Sequence, residues 1–200
     1  MLASIHPLGE RVRRNRWGLT VTAFAVGSLL AGAVVGALAG TVGIGMRAMP
    51  SGVLGVLALL GVAIAVLADA APRRVRLPDW HRQVNEEWME RYRGWVYGAG
   101  FGLQLGAGFL TIITTAAVHL TFFFALLTRS PLGGALVGGT FGLVRGVSPV
   151  VTVRTRDADA LRRLHRRLDR IRPAAQLATV AGMLGVGIAT SWVLITGVGA

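Results

Sequence analysis

Gln104, Thr111, Thr115 and His119 are the side chains of this sequence best suited to handling a solute, because they are polar and lie inside a long apolar run. On one continuous helix, at 100° per residue, they fall within about a quarter-turn of one another, with Gly108 and Thr121 close to the same line. Amide, hydroxyl and imidazole groups on one face would make a polar stripe. His119 could carry a proton or bind a metal or an anion, or it could pack against a hydroxyl or a backbone group. With no second His, Asp or Glu at ligand spacing, no metal is expected. Gln104, Thr111 and Thr115 either line a substrate path or hydrogen-bond across helices. Arg145 is the one Arg within an apolar span, and an Arg at the bilayer centre costs roughly 2.5–3.5 kcal/mol or more. It either answers the stripe or snorkels to the nearer interface. The sequence carries no catalytic carboxylate pair, nucleophile elbow or phosphate loop, so neither an enzyme nor a cofactor is expected.

The elements that must position these groups are apolar and long. Of 200 residues, 53% are hydrophobic and 15% charged, and the charges are confined to a few segments. Apolar runs near or above the roughly 20 residues needed to cross hydrocarbon occur about five times. The spacing predicts spans at about 17–44, 52–68, 95–127, up to 151 from the turn at 129–131, and 174–198. The expected fold is an all-α polytopic membrane protein with five transmembrane helices. The third run is roughly 30 residues, about 45–50 Å if wholly helical, so it must tilt, project or break. A break near the β-branched TIITT at 111–115 would suit a transporter, whose discontinuous helices present backbone groups to substrate.

The formal net charge of +12 reflects arginines in the connections. The basic segments at 11–16, 73–93 and 154–172 fall on one side and only Arg47 and Arg129 on the other, which places the N-terminus in the cytoplasm and the C-terminus outside a bacterial inner membrane. Lipid with an anionic inner leaflet, not nucleic acid, is the partner this charge implies. Two short amphipathic cytoplasmic surface helices are expected. One carries Trp80, Val84, Trp88 and Tyr92 in the linker 71–94. The other carries Leu161, Leu164, Leu168 and Ile171 behind an Asp157 cap. There is no Cys, which excludes disulfides and thiol chemistry, and no cleavable signal is visible.

Small residues mark the faces on which helices should meet. Gly32, Gly36 and Gly40 recur at four-residue spacing, as do Gly94, Gly98, Gly102 and Gly106, and Gly134, Gly138, Gly142 and Gly146. Such grooves let backbones approach closely, within the chain or against a partner membrane protein or a second copy. The Gly-rich spans at 27–40 and 134–146 correspond, as do 52–68 and 176–198. Residues 1–70 and 95–200 therefore read as two repeats within one transmembrane domain, the first incomplete. Two plus three spans derive from a three-plus-three inverted parent.

With RQVNEEWMERYRGWVYGAGFG, LLTRSPLGGALVGGTFGLVRG and the opening MLASIHPLGE, the chain resembles the transmembrane CcdA/DsbD family of the LysE-type transporter superfamily, in particular its MauF-like and sulfite-exporter-like members. The resemblance implies a polar centre between two pseudo-symmetric halves. Members pass reducing equivalents through Pro-Cys elements, as in cytochrome c biogenesis. Here Thr114, Thr115 and His119 stand where the second element would be, and the first would lie before Met1. Three functions are therefore expected in turn: a transporter of a small solute or ion, a non-transporting accessory subunit of a membrane complex, and, if the native start lies upstream, thiol redox transfer.

Overall fold

The computed structural model describes residues 5, 7–70, 88–108, 115–153 and 157–196, and these form helices joined by short turns. In chain order they are α1 (Pro7–Val12), α2 (Trp17–Gly43), α3 (Ser51–Ala70), α4 (Trp88–Arg91), α5 (Gly94–Gly106), α6 (Ala117–Leu127), α7 (Pro131–Gly146) and α8 (Ala158–Thr196). Single 3-10 turns follow α2 and α7, at Ile44–Met46 and Ser148–Thr152. Four segments are long and apolar enough to cross a membrane, Trp17–Met46, Ser51–Ala70, Pro131–Thr152 and Asp159–Val193. Leu30, Val34, Leu38 and Val42 of α2 turn outward, 54–69% exposed, as do Leu177, Ile188 and Trp192 of α8. Apolar ridges of this extent need lipid around them. The all-α membrane fold read from the sequence is the fold observed.

The expected third span, 95–127, is not one helix. α5 has 13 residues and α6 has 11, each too short to cross alone. α5 stops at Gly106, and Gly108 follows at φ +78°, a left-handed conformation that ends a helix and that glycine adopts without strain. Thr111 and the rest of 109–114 lie outside the described residues.

α2 is the axis of the packing, and glycine is the reason. Its Gly32, Gly36 and Gly40 meet the backbone of α7 at Gly138, Gly134 and Ser130, so α2 and α7 run antiparallel. On α5, Gly98, Gly102 and Gly106 meet Thr20, Phe24 and Ser28 of α2, so α5 runs parallel to it. Gly94 abuts Thr20 and Asn15, Gly142 abuts Ser28, and Gly146 abuts Ala25. A Cβ at any of these glycines would come within 3.0 Å of a neighbouring atom, nearer than real Cβ atoms approach. The Ser28 hydroxyl donates to the Gly142 carbonyl at 2.6 Å where the three helices converge. α3 and α8 form a second antiparallel pair, in which the Ser191 hydroxyl donates to the Gly55 carbonyl at 3.0 Å and Met183 packs with Val62 and Ala65.

The C-terminal surface helix is corrected by the structure. Asp157 does cap the helix, accepting from the Ala160 N–H at 2.6 Å, but α8 then continues through Pro173 to Thr196 as one 39-residue helix. Proline removes a single N–H, and an exposed turn leaves the freed Asp169 carbonyl to water. The flanking Leu, Arg and Ala favour helix on both sides. At about 58 Å, α8 exceeds the hydrocarbon thickness, and its basic first half projects beyond the span instead of lying as a separate element. The other expected surface helix falls mostly on 71–87, outside the described residues. Only Trp88–Arg91 of it is seen, with Trp88 stacked on Phe101 at 6.2 Å between ring centroids.

Candidate functional site

The helix break lies well inside the membrane-spanning part of the bundle. Gly106 packs at Ser28, whereas the far end of α6 packs at Gly43, where Leu126 is the neighbour. Along α2 at 1.5 Å per residue, the break is thus about 22 Å from the Gly43 end and about 17 Å from Trp17. An interrupted helix at that depth exposes backbone N–H and C=O groups that lipid cannot satisfy. One end is satisfied by Asp69, at the end of α3. Its Oδ1 accepts the Ala116 N–H at 2.7 Å and its Oδ2 accepts the Thr115 hydroxyl at 2.5 Å, while Thr115 Oγ1 accepts the Ala117 N–H at 3.3 Å. Asp69 therefore caps α6 from another helix, and its negative charge sits at the positive end of the helix dipole.

This cap carries a first prediction. Asp69→Ala destabilises the protein by about 0.5–2 kcal/mol and frays the start of α6, whereas Asp69→Asn, which retains one acceptor, costs less. Amide exchange at 115–118 measures it; unchanged protection in Asp69→Ala would show that the cap is idle.

The other wall of the break is aromatic and cationic. A Cβ on Gly108 would meet the Phe122 ring. Phe122 packs edge-on against Phe141 with centroids 5.4 Å apart, and the Arg145 guanidinium lies 5.3 Å from the Phe141 centroid. Arg145 stands at the level of the break, since its neighbours Gly142 and Gly146 pack at Ser28 and Ala25. The guanidinium reaches back one turn over Phe141, the direction in which helical side chains ordinarily point.

The polar stripe is corrected as well. Gln104 is half-buried on α5, and Thr115 and His119 are half-buried across the interruption, so a 100° progression does not carry from one side to the other. The contact Thr115 makes is with Asp69 of α3. Asp69 and Thr115 stand at the α6 side of the break, and Phe122, with Phe141 and Arg145 behind it, stands beside Gly108 on the α5 side. Asp69 stood in the sequence as the lone acid closing an apolar span, and that oddity was the available signal. Among the described residues no three His, Asp or Glu side chains come together to hold a metal.

A second polar cluster, missed from the sequence, lies at the Trp17 end. Glu10 is fully buried. Its carboxylate accepts the hydroxyls of Tyr97, in a very short hydrogen bond, and of Thr20 at 3.0 Å, and it pairs with Arg13 at 3.2 Å. Asn15 donates to the Tyr97 oxygen and accepts the Gly94 N–H, both at 3.4 Å. The cluster ties α1 to α2 and α5, and Ile5 beyond it joins the core of Phe24, Phe101 and Leu105. Glu10 is the one acid in an otherwise basic opening segment, the same kind of signal as Asp69.

No family model matches the chain and no solved structure matches it. It is similar to curated proteins described as methylamine utilization protein MauF. Identity is 31% over 122 residues with that of Paracoccus versutus, covering 61% of this chain and 44% of the relative. With that of Methylorubrum extorquens it is 31% over 144 residues, covering 68% and 48%. With that of Paracoccus denitrificans it is 31% over 126 residues, covering 61% and 43%. The chain spans less than half the length of the curated relatives it matches.

Proposed function

We propose that this MauF-like membrane protein is a non-enzymatic, transporter-like component of a bacterial inner membrane, passing a small solute or ion through the broken span. The observation that carries the reading is the interruption between α5 and α6 near mid-depth, faced by Asp69, Thr115 and Arg145. Irregular backbone at that depth is tolerated where it is buried in protein or lines a cavity, and discontinuous helices at the interface of two halves are the usual place for a substrate.

The antiparallel pairing of α2 with α7 and of α3 with α8 supports reading 1–70 and 95–200 as inverted copies. So do the turns entering α2 and α7, which hold the two non-glycine residues with positive φ, Arg14 at 58° and Arg129 at 51°, among the described residues. The arginine bias of the connections supports a cytoplasmic N-terminus and an external C-terminus.

The test is flux. Proteoliposomes containing the full chain are expected to move at least one of labelled methylammonium, acetate and sulfate faster than empty liposomes. His119→Ala combined with Thr115→Val, both on the α6 side of the break, is expected to reduce that flux at least tenfold without loss of folded protein. Flux equal to empty liposomes for all three, or unchanged in the double variant, removes the reading.

The similarity to utilization proteins favours a second reading, a non-transporting subunit that assembles or anchors a membrane complex. Against it, the glycine grooves that would receive a partner helix are filled by the chain's own α2, α5 and α7. Stable co-purification with one partner in mild detergent, together with absent flux, would select it.

A further inference from the structure

We propose that Arg145 forms an anion site beside the helix break, taking a small carboxylate or oxyanion. The inference rests on the transporter reading only for the route by which the anion arrives.

Three observations carry it. The guanidinium lies over Phe141, whose edge-on neighbour Phe122 stands beside Gly108 at the interruption. Among the described residues its buried Nη1 has no hydrogen-bond partner and no ion pair. Asp69, the acid at the break, is already committed, with both its oxygens on Thr115 and the start of α6. A cation–π contact of this kind is worth about 0.5–2 kcal/mol, less than the roughly 2.5–3.5 kcal/mol cost of an Arg at the bilayer centre. Phe141 therefore does not offset the charge, and a planar fork of N–H donors in a low-dielectric site favours an anion able to accept two of them. The Phe122 ring lies beside Gly108 and packs edge-on against Phe141, so the break and the guanidinium share one aromatic wall.

The full chain is purified in neutral detergent and its unfolding temperature followed by Trp fluorescence in acetate and in sulfate, against chloride at matched ionic strength. Sulfate stabilises proteins generally by exclusion, so the readout is the difference between wild type and Arg145→Gln in the same salt. At least one of the two anions is expected to raise the wild-type temperature saturably. Arg145→Lys should weaken its apparent affinity about tenfold, the effect of losing one charge-assisted hydrogen bond, and Arg145→Gln should abolish the rise. Equal shifts in wild type and Arg145→Gln overturn the proposal.

If Arg145→Gln does not fold, phenylglyoxal modification of Arg145 in the wild type, read by peptide mass, replaces it. Protection by acetate or sulfate but not chloride supports the site, and no protection overturns it. A parallel arm adds phosphatidylglycerol. An Arg145-dependent rise with that lipid alone identifies the anion as a lipid phosphate and not a free solute. Arg145-dependent binding without flux removes transport and leaves the site, whereas flux in which Arg145→Gln matches wild type for every anion does the reverse.

Discussion

Gly36→Leu, made in the full chain, yields no folded protein, while Gly45→Leu folds as wild type does. The Gly36 face meets the Gly134 carbonyl and the Gly138 Cα of α7, so even a methyl there lies within 3.0 Å of backbone. Overpacking a core usually costs about 1–3 kcal/mol because side chains can shift aside. At Gly36 the obstacle is main chain, and making room means separating α2 from α7 along the whole Gly32–Gly40 seam. Without apolar burial to drive helices together in lipid, such close packing and the Ser28 to Gly142 hydrogen bond hold the pair. Gly45 has nothing within 4 Å of its would-be Cβ, so it controls for the change of residue type. Expression in membranes, size-exclusion profile in detergent and thermal unfolding measure the contrast. Gly36→Leu as stable as Gly45→Leu would mean that α2 and α7 do not pack through their glycines.

The second large effect is expected at Glu10. Glu10→Ala removes the acceptor of two buried hydroxyls, Tyr97 and Thr20, and the partner of Arg13. Each orphaned buried donor costs about 1–3 kcal/mol, more than the six-residue α1 can recover from its other contacts. The opening segment is expected to leave its place, and Ile5 its seat beside Phe24 and Phe101, with the rest of the bundle retained. The native chain has no Cys, so Ile5→Cys gives a single labelling site. In membranes it should resist maleimide when Glu10 is present and label rapidly in Glu10→Ala, with Glu10→Gln intermediate because an amide still accepts from one hydroxyl. Equal labelling in all three would show that Glu10 does not anchor α1.

These two sites differ in how far the sequence alone announced them. The glycines at four-residue spacing could be read directly, because helical periodicity fixes which residues share a face and an absent Cβ permits only one kind of neighbour, a close one. Which helix would fill each groove could not be read. Gly32–Gly40 and Gly98–Gly106 look alike as strings, yet the first pairs antiparallel with α7 and the second parallel with α2. The angular arithmetic of the polar stripe met a related limit: it assumed one helix, and Gly108 at positive φ ends that helix before the later residues are reached.

Composition and period determined that this chain is an all-α membrane protein, with long apolar helices, arginine in the connections and glycine seams, because those properties depend on solvent transfer and on local geometry. Only the tertiary structure decided that Asp69 caps α6, that Glu10 is buried against Tyr97, and that Arg145 turns inward over Phe141. A lone charged residue in a sequence shows only that some partner or solvent must compensate it. That partner lies 46 residues away for Asp69 and 87 for Glu10, and nothing but folding brings such distant groups within hydrogen-bond reach.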